Sequence, residues 1–308
     1  MREVQCSSKR PRKTLPAVLA AVSWALLVSS LSGCRAMGLS ADAVMADYAG
    51  DLMSSISKER DPEMVRQGFP TMILLMDAML EGDGGGDPEL LRAAAVSYAL
   101  YAQVFLVPRE ECRRAAILYE KAKECGLRLL RRHRFYAEAE NAPFEEYEKA
   151  LSKFGKEDVP DIYAAANAWL GSIINQPDSM EALSQIPMAM ALMRRSLELD
   201  ESYAAGGAHL IFGIYYAVQP PGAGRDLDKS RKHFLRAVEL AGGNDLLPQV
   251  MFAEFYAVPA GDEELFAKTL SEVVERTSKG GGQGPAALSN AIARERALRL
   301  IEMKGEMF

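Results

Sequence analysis

The chain has 308 residues and a formal net charge of −6. That length allows one or two domains with a sizeable core. An acidic, evenly charged chain argues against nucleic acid as a partner.

Lys9, Arg10, Arg12 and Lys13 form a cationic head before the apolar run TLPAVLAAVSWALLVSSLSG. A basic head, a short apolar region and small residues at its end make residues 1–33 a secretory signal. The uncharged stretch 15–31 is at the lower limit for crossing a bilayer, and no basic stop-transfer cluster follows it. Leu31-Ser32-Gly33-Cys34 resembles the lipobox of bacterial lipoproteins. The resemblance implies that Cys34 is lipidated and becomes the first mature residue, with 34–40 as a linker from the membrane. Two or more acyl chains hold a protein firmly where one does not. Arg35, in place of an Asp, slightly favours the outer membrane. Loss of the signal takes the net charge to about −10. It leaves Cys112 and Cys125, both in ECRRAAILYEKAKECG. Thirteen residues of helix span roughly 20 Å, too far for a disulfide, so two free and mostly buried thiols are expected.

Residues 41–308 read as one helical-repeat domain. Alternating β-branched runs are missing and helix formers dominate. DPEMVRQGFPTMILLMDAML opens with an Asp cap and Pro at the first helical position, then meets Pro70, where a kink is expected. EGDGGGDPEL is a glycine turn before a second Asp-Pro start. NQPDS, QPPGAGRD, LAGGND and VPAGDEE break the later helices. Short loops between antiparallel helices follow.

The hairpins repeat. ANAWLGSII aligns with AHLIFGIYY, and RRSLEL with LRAVEL. Small residues pair at near-constant spacing: Ser97 with Ala122, Gly171 with Ser196, Gly213 with Ala237. Units fall near 90–125, 162–200, 203–241 and, less clearly, 247–276. This resembles the tetratricopeptide helix pair, with Phe212, Gly213 and Tyr216 on the first helix and Phe234 and Ala237 on the second. Small residues let two helices approach and large ones fill the space beside them. A segment of roughly 35 residues separates the first unit from the second, so the expected fold is all-α: an irregular tetratricopeptide-like solenoid, closed or cupped around a cleft or pore.

The order of segments carries more. FGKEDVPDIYAAANAWLGSII, then MRRSLELDESYAAGGAHLIFGIYYAVQPPGAGRDLDKSRKHFLRAVEL, then AEFYAVPAGDEELFAKTL resembles the TatT family, helical-repeat lipoproteins associated with tripartite TRAP transporters. The resemblance is clearest from 159 to 274. It implies a periplasmic homotrimer with a pore or cleft in each protomer. It also implies a partnership with the transporter's solute-binding protein and a small hydrophobic or organic-acid ligand. No binding residues are carried over from the family.

The residues themselves offer little catalytic chemistry. His133 in RRHR reads as a solvated basic face. His209 and His233 fall on the two helices of one unit and could approach each other, but no further ligands support a metal. GDGGGD lacks the spacing of a calcium loop. No paired nucleophile and base is present, so a non-enzymatic protein without cofactor or metal is expected. The first helices hold an excess of aromatics. At i, i+3, i+4 spacing these are by default core residues, but the set exceeds what one face requires, and the surplus suits an apolar cleft. Candidates for that cleft are Tyr98, Tyr101, Asn167, Trp169, His209, Phe212, Tyr216 and Tyr256. Arg225 is a further candidate, because a guanidinium suits a carboxylate; a surface salt bridge is the other fate open to it. The competing function is a helical-repeat scaffold for envelope assembly, favoured by an open, charged groove.

Overall fold

The computed structural model describes residues 51–82, 86–106, 111–222, 224–279 and 284–308. Cys34, the signal and the linker lie outside the described residues, as does 83–85 of the glycine turn. Among the described residues there are helices and no strands. The architecture is all-α and tetratricopeptide-like. No described helix is long and apolar enough to cross a membrane.

Residues 51–57 are helical. Helix α1 (Pro62–Glu81) starts where the sequence signals it: the Asp61 carboxylate accepts from Glu63 N and Met64 N. It runs unbroken past Pro70 and buries one stripe, Val65, Phe69, Ile73 and Met76. Helix α2 (Pro88–Phe105) starts on Asp87, whose carboxylate accepts from Leu90 N. It packs on α3 (Cys112–Leu130), and α3 packs in turn on α6 (Val159–Ile174).

Two glycines set the α3–α6 contact. A Cβ added to Gly126 would stand 2.6 Å from Ala165 Cα, and one added to Gly171 would stand 2.1 Å from Tyr119 Cε1. Across the interface, then, Gly171's nearest neighbours are atoms of Tyr119, in the preceding unit. Ser196 is fully buried on α8 (Ile186–Leu199).

The segment between α3 and α6 folds into α4 (Arg134–Ala139) and α5 (Phe144–Leu151). Arg131 grips Glu140 through two hydrogen bonds of 2.8 Å, and Tyr136, Tyr147 and Phe154 join the buried cluster beneath α6 and α8. Arg195 on α8 donates to Ser152 O at 3.1 Å and Phe154 O at 2.6 Å, satisfying carbonyls where α5 ends. His133 departs from the solvated face expected of it. Its ring lies 5.3 Å from Phe135 and 5.1 Å from Phe154, and Nε2 is 3.4 Å from Asp158 Oδ1.

After the short α7 (Met180–Ser184) and α8, Ala204, Ala205 and Gly206 all take left-handed φ and turn the chain into α9 (Gly207–Val218). Helix α9 pairs with α10 (Leu227–Leu240). The next unit is broken on its first helix: α11 (Leu247–Phe252) runs into a π-helical turn, Ala253–Ala257, then α12 (Val258–Ala260) and α13 (Glu263–Ser278). Helix α14 (Ala287–Glu302) packs on α13 and α11 and also meets α1; α15 (Lys304–Met307) ends the chain. Leu288 belongs to the same buried cluster as α1 and α2, while Ala293, Ala297 and Leu300 belong to the cluster with α13. Buried Asn290 secures this closure, accepting from Leu246 N at 2.9 Å and donating to Asn244 O at 2.8 Å.

Candidate functional site

The aromatics chosen from sequence do not converge on one place. Tyr98 is buried and donates to Asp77 Oδ1 at 2.7 Å; burial and that carboxylate raise its pKa. Tyr101 is buried and stacks on Phe69 at 5.6 Å. Both lie in the first buried cluster, whereas Trp169 and Phe212 lie in the second. Trp169 Nε1 donates to Gln185 Oε1 at 2.7 Å. Asn167 is half-buried on α6. Tyr256 sits on the π turn and stacks on Phe252 at 4.9 Å. Exposed Arg225 makes no ion pair among the described residues; its Nε donates to Gln219 O at 3.0 Å and latches its own loop.

Three of the chosen side chains, His209, Phe212 and Tyr216, do meet, together with His233 and Glu201. His209 Nδ1 lies 2.9 Å from His233 Nδ1, and His209 Nε2 lies 3.1 Å from Glu201 Oε2. The His233 ring stacks against both Phe212, at 5.3 Å, and Tyr216, at 5.7 Å. Burial, and then the neighbouring His209, push the His233 pKa down to about 4. The arrangement has no third metal ligand: no group of three His, Cys, Asp or Glu side chains able to hold a metal occurs among the described residues.

Two partly open cavities lie elsewhere, where α14 closes on the earlier helices. They adjoin, with volumes of about 140 Å³ and 160 Å³, and share Leu100, Val104, Phe105, Leu247 and Ile292. One is apolar, walled also by Met53, Ile56, Val65, Phe69 and Leu288. The other adds polar groups: Arg66, Gln103, Glu295, Arg296 and Arg299. None of the nine cleft candidates lines either cavity. Arg66 lies 5.3 Å above the Phe105 ring and pairs with Glu63 at 3.2 Å. The Arg296 side chain is 15% exposed; its Nε donates to Glu254 Oε2 at 2.6 Å, and the guanidinium lies 5.7 Å from the Phe255 ring centre. Sequence reasoning missed these residues, yet α14 carries a signal. Leu288, Ile292, Arg296 and Arg299 recur at helical spacing, so one face passes from apolar to basic along its length.

An apolar chamber with arginines at one side can hold a small amphipathic anion. The fold is that of a tetratricopeptide-like helical-repeat protein. A family model described as TRAP transporter T-component matches residues 58–308. The chain belongs to that family, the one its segment order resembles, and is associated with a TRAP transporter. It is also 20% identical over 248 residues to an uncharacterized protein of Treponema pallidum (strain Nichols), covering 76% of each chain.

Proposed function

We propose that this T-component is a periplasmic lipoprotein, anchored through Cys34, that works as a homotrimer beside the transporter's solute-binding protein and holds or passes a small hydrophobic organic acid without catalysis. The observation that carries the ligand reading is the pair of adjoining cavities, apolar on one side and arginine-lined on the other. Family membership supports the partner, the trimer and the compartment. The lipobox at 31–34 supports the anchor. Tethering would raise local ligand concentration with no energy source of its own.

The partner is tested by immobilising residues 35–308, exposing them to periplasmic extract and identifying what stays bound. Capture of a TRAP-class solute-binding protein is the expected result. Capture of envelope-assembly proteins, with no solute-binding protein at any concentration, would overturn this reading in favour of a scaffold.

A further inference from the structure

We infer that Arg296 is the specificity-determining residue of the cavity between α2, α11 and α14, and that it reads a carboxylate on an apolar ligand. The inference rests on the cavity being the ligand site.

Three observations meet at this residue. Its side chain is largely buried, at 15% exposure, yet it holds one carboxylate through one atom: Nε donates to Glu254 Oε2 at 2.6 Å. A guanidinium carries five N–H donors in a fixed plane. The two terminal amino groups of Arg296 have no hydrogen-bond partner among the described residues. That end-on pair of nitrogens is a geometry that takes a carboxylate with two parallel bonds. Glu254 meanwhile supplies the opposite charge that makes a buried arginine tolerable.

The second observation is how the arginine is held. Glu254 and Phe255 both belong to the π-helical turn Ala253–Ala257. In an α-helix each residue advances by roughly 100° around the axis, and a π turn inserts an extra step. Here the turn presents an acid and a ring to one arginine: Glu254 binds Nε and Phe255 faces the guanidinium. A site fixed before its ligand arrives loses less freedom on binding.

The third observation is the wall opposite. Leu100, Val104, Phe105, Leu247 and Ile292 line both this cavity and the apolar one beside it. A ligand whose head meets Arg296 therefore has an apolar chamber for its tail. Arg66 and Arg299 line the same cavity but are more exposed: Arg66 is 47% exposed and already paired with Glu63, and Arg299 is exposed near the end of α14. Solvent weakens what either can contribute.

The test is calorimetric titration of residues 35–308 with octanoate and with octanol, which share a tail and differ in charge. The native protein should bind octanoate more tightly by about tenfold or more, the range of a hydrogen-bonded charge. Arg296→Gln should remove that preference and leave octanol binding unchanged. Glu254→Gln/Arg296→Gln should do the same without leaving an unpaired acid, which guards against misfolding. Leu100→Trp should abolish both ligands, and Arg225→Gln, in a loop that lines neither cavity, should alter neither. If the native protein prefers octanoate and both Arg296 variants keep the preference, the inference is overturned while the cavity remains the binding site. Equal binding of the two ligands overturns it in the same way. Failure of the native protein to bind either ligand overturns the cavity reading and this inference together.

Discussion

A Cβ added to Gly213 would stand 2.8 Å from Phe234 Cδ2 and 2.9 Å from its Cε2. Phe234 is fully buried, and beside it Ser230 Oγ donates to the Gly213 carbonyl at 2.8 Å. Helices α9 and α10 can therefore come this close only over a residue without a side chain. Gly213→Ala must displace a packed ring and should cost about 1–3 kcal/mol. In a domain of this size each kcal/mol lowers Tm by roughly 2–4 °C. Thermal melts of Gly213→Ala, Phe234→Leu and the double variant test the pair. The double variant should lose less than the two single losses combined. Strict additivity would show that the two residues do not press on each other.

Gly126 faces a harder obstacle. Its added Cβ would meet backbone, Ala165 Cα at 2.6 Å, where Gly213 meets a side chain that can turn. Gly126→Ala can be relieved only by moving α3 from α6, which should cost at least about 2–3 kcal/mol. Urea midpoints of the two alanine variants should rank Gly126→Ala below Gly213→Ala. The reverse order would mean that the α3–α6 contact yields more easily than the α9–α10 contact.

How much of this was legible in the sequence depends on distance along the chain. Helix starts were, because Asp61-Pro62 and Asp87-Pro88 are local chemistry, and the structure caps both helices through those carboxylates. The approach of His209 to His233 was, because one short hairpin joins their helices. The Gly171–Tyr119 contact was not: it joins two units across the 131–158 insertion, and spacing within one unit says nothing of it. The chamber was missed for the same reason. It forms where α14 returns to α1 and α2, and no local pattern announces a contact over some two hundred residues. The aromatics on the first helices looked like cleft residues because they are large. Tyr98, Tyr101 and Trp169 instead fill cores and spend their polar atoms on Asp77, the Arg66 carbonyl and Gln185.

The turn between α8 and α9 stores backbone strain. Ala204 has φ 50° and ψ 42°, Ala205 has φ 52°, and Gly206 follows at φ 81°. A left-handed alanine costs about 1–2 kcal/mol, against roughly 0.5–1 kcal/mol for the extra freedom that glycine loses on folding. Ala204→Gly should therefore stabilise the protein, by up to about 1 kcal/mol. Gly206→Ala should destabilise it, since the new Cβ would also stand 3.0 Å from Leu240 Cδ1 and 3.3 Å from Ala237 Cα. Paired thermal melts check both signs, and a lower Tm for Ala204→Gly would refute the strain.

The two cysteines of α3 should differ in reactivity. Cys125 is 4% exposed, and burial pushes its pKa up to about 11. Cys112 is only half-buried, at the edge of an open groove with Ile117 and Ile174. The thiolate is the nucleophile, so a buried thiol with a raised pKa is inert. Iodoacetamide applied to native residues 35–308 at mildly alkaline pH should modify Cys112 and spare Cys125 until denaturant is added. Peptide mass spectrometry reads this directly, and equal labelling of both in the native protein would contradict the packing of α3.

The His209–His233 contact predicts how stability responds to acid. Glu201 is held ionised by Arg236 and by His209, which push its pKa down to about 2, so it accepts the Nε2 proton of His209. Of the two facing Nδ1 atoms, 2.9 Å apart, one must donate and the other accept. Protonating both rings would set two N–H groups against each other at 2.9 Å. It would also place a charge between Phe212 and Tyr216, with Lys229 lying 5.3 Å above the Tyr216 ring. Burial, and then the neighbouring His209, hold the folded pKa of His233 at about 4, below its ordinary 6.5. Between those values the unfolded chain binds the proton that the folded one refuses, so stability rises with pH there. The contribution is complete above pH 6.5 and is lost as pH falls toward 4. The depressed pKa of Glu201 acts lower, between 4.5 and about 2, so the interval from 6.5 to 4.5 isolates the histidine. Tm should fall on acidification through that interval in the native protein and fall less in His233→Gln, which keeps a polar side chain and cannot be charged. An identical acid slope in both would place the proton uptake on another group.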